Sequence, residues 1–138
     1  MSHASSKITN LSVLTESFGI ADFTDGTDTT GYVDFSSKIP AGALPIAWKA
    51  VVTEGFAGDT TAVIQVGKSG DVDMLSASTD GSCLATGTVG SAVLAANALD
   101  EIDNAFTPRV TVTGGADFTT IATAANGAVT VSIYYIEA

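Results

Sequence analysis

The chain has one cysteine, Cys83, and one histidine, His3, among its 138 residues. A lone thiol excludes an internal disulfide, and with the only histidine near the terminus a thiol nucleophile lacks its usual base. Cys83 is therefore expected to be a small structural side chain, in keeping with the burial tendency of free cysteine. Basic residues are also scarce: Lys7, Lys38, Lys49, Lys68 and Arg109 lie scattered against 15 acids, giving a formal charge of −10. No basic stripe exists to neutralise phosphates, so no nucleic-acid partner is expected. An anionic membrane surface would repel the chain, and no apolar run approaches the roughly 20 residues needed to span a bilayer. A soluble protein without a membrane partner is expected. The start, MSHASSKITN, lacks the charged-then-apolar layout of a secretory signal, which implies folding in the compartment of synthesis.

Charge of either sign is sparse, at 14% of residues, against roughly 25% in ordinary soluble domains. The surface must then be dressed with Ser, Thr, Asn and Gly. Such a coat suits a protein packed against copies of itself or a partner, and secreted β-domains share it. The length is that of a single domain over residues 1–138, able to bury a core without disulfide or metal staples.

What the chain does contain is a succession of short strand patterns, with no long amphipathic helix and no repeat at a fixed period. A first strand is expected at Lys7 to Leu14, with Ile8 inward, followed by an acidic, turn-rich stretch from Asp22 to Thr30. Gly31 to Ser36 alternates so that Val33 and Phe35 face the core. Pro40 and Pro45 bracket a connector, since proline cannot donate to a ladder. From Ile46 onward, Ile46, Trp48, Ala50 and Val52 share one face, with Trp48 as the core anchor. Gly55 and Gly58 are expected to turn the chain through positive φ, and Thr60 to Val66 to return with Ala62, Ile64 and Val66 aligned. These two strands are expected to be a hairpin or close neighbours in one sheet. Ser82 to Thr88 and Ser91 to Ala95 are weaker strands, and Ala95 to Asn104 suits a short helical turn. Pro108 to Thr113 aligns Val110 with Val112, and Ala128 to Ile136 aligns Val129, Val131, Ile133 and Tyr135. Between them lies a polar, small-residue excursion ending in the turn dipeptide Asn126-Gly127. About eight short antiparallel strands with regular turn signals predict an all-β fold, a single β-sandwich or jelly-roll-like domain, with a small barrel as the alternative.

No catalytic or cofactor constellation accompanies the strands. Asp22, Asp25 and Asp28, Asp71 and Asp73, and Asp59 are the only clustered acids, and hard-cation binding by carboxylates and carbonyls is physically open to them. Their spacing matches no EF-hand, and Asx-turn chemistry explains Asp and Gly in turns equally well. No metal site is assigned. No carboxylate pair stands at a separation fixed for glycoside hydrolysis. Gly67-Lys68-Ser69 fails as a phosphate loop because Ala62 stands where the pattern needs glycine. The expectation is a non-enzymatic protein without cofactors. Phe18, Phe23, Phe56, Phe106 and Phe118 fall in expected loops. Two readings stand for Phe56 and Phe118: rings tucked under their own loops, or contact residues at a subunit boundary.

The segments AWKAVVTEGFAGDTTAVIQVGKSGDVD and VTVTGGADFTTIATAANGAVTVSIYYIEA together resemble small structural proteins of tailed bacteriophages. The shared pattern is a strand, a GDT-type turn, a strand ending in VG, a GDxD loop and a final strand pair ending in a VxVxxYY-type tail. It covers somewhat under half of the chain. Within that group the chain is most similar to capsid decoration, or cement, proteins. The resemblance implies a virion protein on the capsid surface, made in the host cytoplasm. Its implied partners are the major capsid protein and copies of itself, as a homo-oligomer with a trimer expected. A tail, neck or head-fibre component and a carbohydrate- or cell-surface-binding sandwich are the alternatives. Residues 1–6 form a candidate amino-terminal arm, with plain disorder as the competing reading. Ser2 and His3 join Phe56 and Phe118 as candidate interface residues.

Overall fold

The computed structural model describes residues 10–76, 81–92 and 103–137. Ser2, His3, the candidate arm and the expected helical turn before Asn104 lie almost wholly outside these residues. The elements in chain order are β1 (Leu11–Gly19), a 3-10 turn (Ile20–Asp22), β2 (Thr24–Thr27), β3 (Thr30–Asp34), β4 (Leu44–Glu54), β5 (Ala62–Lys68), β6 (Gly87–Ala92), β7 (Pro108–Gly114), α1 (Thr119–Ala124) and β8 (Ala128–Ile136). They form two four-stranded antiparallel sheets, one ordered β1-β8-β4-β6 and the other β2-β3-β7-β5. The protein is an all-β sandwich.

Alternation explains the core. Trp48, Ala50 and Val52 of β4 and Val129, Val131, Ile133 and Tyr135 of β8 turn inward from the first sheet, and Ala62, Ile64, Val66, Val110 and Val112 meet them from the second. Ile46 departs from the expected face. A register shift between Pro45 and Ala47 buries Pro45 instead, so the inward set restarts at Trp48. Cys83 is fully buried, and burial pushes its thiol up to about 12, leaving essentially no thiolate at neutral pH.

Several elements differ from the sequence pattern. The first strand starts at Leu11 and runs to Gly19, because its whole length pairs with β8, from Leu11 opposite Ile136 to Gly19 opposite Ala128. The acidic stretch expected to be a turn contains β2, which pairs with β3 through a tight turn at Asp28, where φ is 55°. β4 and β5 do not pair: they belong to opposite sheets, so the EGFAGD segment carries the chain across the sandwich. In that segment Gly58 has the expected positive φ, at 97°, and Gly55 does not. The outer edge of β5 is met instead by the segment before β6: the Ile64 N–H donates to the Gly81 carbonyl and the Cys83 N–H to the Ala62 carbonyl, around a bridge of Val63 with Ser82. The excursion before β8 holds the short helix α1, with Phe118 and Ile121 buried beneath it.

One end of the sandwich is closed by an aromatic plug. Phe56 and Phe118 are 1% and 0% exposed. Phe23 meets the Phe56 ring edge-on at 5.8 Å between centroids and lies 6.4 Å from that of Phe118. The rings sit where glycines leave room: a Cβ on Gly31 would strike the Phe118 ring, and one on Gly127 the Phe56 ring. The structure thus places both phenylalanines in the loop core, buried under their own loops. Phe118→Ala is expected to lower unfolding stability by about 3–5 kcal/mol, the usual cost of emptying a buried phenylalanine site. Urea denaturation checks this, and a loss below about 1 kcal/mol would show that the plug does not close the sandwich.

Candidate interface and binding surfaces

Of the clustered acids, Asp59 and Asp22 are engaged by backbone N–H groups. Asp59 accepts hydrogen bonds from the backbone N–H groups of Ala116 (2.8 Å), Thr61 (3.3 Å), Thr60 (2.6 Å) and Gly115 (2.9 Å), which hold its carboxyl below the ordinary value of 3.8. Asp117 is lowered in the same way by the N–H and hydroxyl of Thr119. Asp22 accepts from the Gly19 N–H at 2.8 Å. Asp71 goes the other way, raised by burial and by its hydrogen bond and charge contact with Asp73, partly offset by Lys68. Among the described residues no three His, Cys, Asp or Glu side chains converge as metal ligands would.

The two outer faces of the sandwich differ in character. On the first sheet, register places Leu11, Ile136 and Leu44 in one row across β1, β8 and β4, and Val13, Tyr134 and Ala47 in the next. Leu11 and Val13 are 49% and 53% exposed, and Leu44, Ala47, Tyr134 and Ile136 are half-buried. This apolar patch carries no ionised side chain. The following rows turn polar, with Thr15 hydrogen-bonded to Ser132 at 2.9 Å and Ser17 to Thr130 at 2.7 Å. The patch lies at the opposite end of the sheet from the aromatic plug. It also adjoins the outer side of β1, which among the described residues is an edge strand, with no proline, no lysine and no register shift along its pairing with β8. Natural sheets usually blunt such edges with those devices. Glu16, the one charged side chain of β1, turns inward and is tied to the Ser36 N–H (3.0 Å) and hydroxyl (2.7 Å).

The outer face of the second sheet is polar and concave. Tyr32, Thr111 and Gln65 form one row across β3, β7 and β5, Thr30, Thr113 and Val63 the row on one side, and Asp34, Arg109 and Gly67 the row on the other. A cavity of about 310 Å³ opens over these rows. Arg109 lies across the Tyr32 ring at 3.9 Å from its centroid and is held there by Asp34, through Nε to Oδ1 at 2.7 Å and Nη2 to Oδ2 at 3.2 Å.

Neither surface is among the expected interface residues. Local pattern held part of the signal for the apolar patch: in LSVLTESF and SIYYI apolar residues occupy both faces of the strand ends, which a strand with one wet face does not need. The polar cavity had no local signal, because its residues come from three strands whose register the sequence does not disclose.

No protein-family profile and no curated protein matches the sequence. Among solved structures, a chain in the capsid of Ralstonia phage GP4 has a similar fold: TM-score 0.55 at 15% identity, covering 100% of this chain and 91% of that one. A chain of the cyanophage Pam1 capsid asymmetric unit aligns at 16% identity over 100% of this chain and 94% of that one, with a TM-score of 0.46.

The amide-bound carboxylate of Asp59 generates a pH prediction. Its folded value lies below its unfolded value, so its contribution to stability is present above 3.8 and is lost as pH falls through the lower folded value. Asp59→Asn is expected to be less stable than the parent at neutral pH, with the difference closing below about pH 4. Urea midpoints measured from pH 7 to pH 2 check this, and a pH-independent difference would contradict it.

Proposed function

We propose that this chain is a non-enzymatic structural protein of a tailed-phage virion: a decoration protein that self-associates and seats on the outer surface of the head, at joints between major capsid protein subunits. The observation that carries the reading is the whole-length fold likeness to a chain of the Ralstonia phage GP4 capsid, joined to the sequence resemblance to decoration proteins. The topology supports it. With β2 set aside as an added strand and the Gly81–Cys83 rung counted beside β5, the strands renumbered in chain order give sheets 1-8-3-6 and 2-7-4-5. We infer from this order a jelly roll, an architecture common among capsid and lectin domains.

Such a role needs a rigid domain and buried contact area rather than chemistry. The apolar patch beside β1 is the surface suited to a second copy of the chain. Copies that each carry −10 repel one another, so contact costs least where ionised groups are absent, and an unblunted edge strand accepts another strand by backbone pairing. A homo-oligomer, with a trimer expected, then engages several coat subunits at once and gains from effective concentration.

Two measurements check these statements. Quantitative mass spectrometry of purified particles is expected to find the chain in copies comparable to the coat protein. A small fraction of that number would move it to the tail, neck or a vertex, and its absence would overturn the virion reading. Val13→Glu places a charge in the patch on an exposed side chain and is expected to weaken self-association at least tenfold with little change in unfolding stability. Sedimentation equilibrium reads this directly, and an unchanged association constant would remove the patch from the interface.

A further inference from the structure

We propose that Asn126 is a latent modification site: its side-chain amide is lost through a succinimide when the Gly127 N–H comes free, and in the folded chain Glu54 holds that N–H in check. Of the asparagines Asn10, Asn97, Asn104 and Asn126, only Asn126 is followed by glycine. Glycine has no side chain to shield its nitrogen, so it is the neighbour that lets the ring close most easily. Asn126 is itself exposed. The reaction needs nothing but water. The Gly127 nitrogen gives its proton to hydroxide and attacks the Asn126 Cγ, a C–N bond forms, and the side-chain nitrogen leaves as ammonia. Water then opens the ring at one carbonyl or the other, leaving an aspartyl or an isoaspartyl residue at position 126.

The fold cannot do without this glycine. Gly127 has a φ of 139°, and a Cβ there would strike the Phe56 ring. The reactive pair is therefore kept and restrained. The Gly127 N–H donates to the Glu54 Oε1 at 2.8 Å, and the Gly127 carbonyl accepts from the Ile20 N–H at 2.9 Å. Glu54 is aimed there by the register shift between Val52 and Glu54, which sets it opposite Ala128 at the end of β4. Three effects then act in one direction. The carboxylate holds the proton that has to leave, and its negative charge opposes the anionic nitrogen that attacks. Closure of the ring would also strip the carboxylate of its donor, because a succinimide nitrogen carries no hydrogen. The tied carbonyl and the Phe56 ring restrict the rotation of the Gly127 peptide that closure requires. Modification would act back on the fold. It adds a negative charge next to the residue that Glu54 holds, and the isoaspartyl product inserts a methylene into the main chain just ahead of β8, beside the aromatic plug. The inference stands apart from the virion reading, since it uses only this turn and its restraints.

The test follows ammonia loss at Asn126 by peptide mass spectrometry in the full chain, incubated at mildly alkaline pH both native and in guanidinium chloride. The native chain is expected to react about tenfold or more slowly than the denatured one, and Glu54→Ala to raise the native rate about tenfold, the worth of one hydrogen bond to a charged group read as a rate. Glu54→Gln keeps an accepting oxygen and is expected to react more slowly than Glu54→Ala, which separates the bond from a general loss of structure. Labelling of the buried Cys83 thiol by a disulfide reagent reports opening of the fold in the same samples, and is expected to stay unchanged. Should Glu54→Ala not fold, Glu54→Asp withdraws the carboxylate by one methylene and is expected to accelerate the reaction as well. A native rate equal to the denatured one, an unchanged rate in a folded Glu54→Ala or Glu54→Asp protein, or an acceleration matched by an equal rise in Cys83 labelling would overturn the proposal.

Discussion

The register of β8 is the constraint on which the rest of the structure depends. It is paired along its whole length on both edges, with β1 on one side and β4 on the other. Its inward residues Val129, Val131, Ile133 and Tyr135 form the centre of the core, and its outward residues run from Thr130 and Ser132 to Tyr134 and Ile136. Because side chains alternate with a period of two, a slip of one residue would exchange these sets, bringing Thr130 and Ser132 into the core and setting Val131 and Ile133 in water. The core and the apolar patch are two consequences of one alignment.

Four acids among the described residues work as loop staples. Asp59 ties the β4–β5 crossing to the start of the excursion before α1, Asp22 closes the 3-10 turn onto Gly19, Glu16 holds Ser36, and Glu54 accepts from the Gly127 N–H at 2.8 Å. Carboxylates bonded to backbone N–H groups favour their charged form and fix crossings that have no regular structure of their own. Cys83, buried with its thiol well above neutral pH, has no exposed chemistry either.

Strands whose alternation is clean were legible in the sequence: β4, β5, β7 and β8, and with them the core set Trp48, Ala50, Val52, Ile64, Val66, Val110 and Val112. Partnership was not. The glycine-rich crossing after β4 has the same composition as a hairpin turn, and only the packing of the two sheets decides that β5 joins β7. β2 was hidden because Thr24 to Thr27 contains Asp and Gly, residues poor in strands, and it forms because β3 offers it an edge. The helix α1 was hidden by its length of six residues, too short to carry helical periodicity. Phe56 and Phe118 read equally as contact or core residues, since sequence cannot show that Gly127 and Gly31 hollow out seats for their rings. The cavity around Thr111 lay beyond local pattern altogether, being assembled by register across β3, β7 and β5.

In the proposed role, the apolar end of the first sheet would meet a neighbouring copy while the outer face of the second stays open to solvent. A cryo-electron microscopy reconstruction of the assembled particle tests this division most directly. The account predicts that Leu11, Val13, Tyr134 and Ile136 lie against a second copy of the chain while Tyr32, Thr111 and Arg109 face outward. Density covering the cavity with coat protein, and the β1 edge left bare, would contradict it.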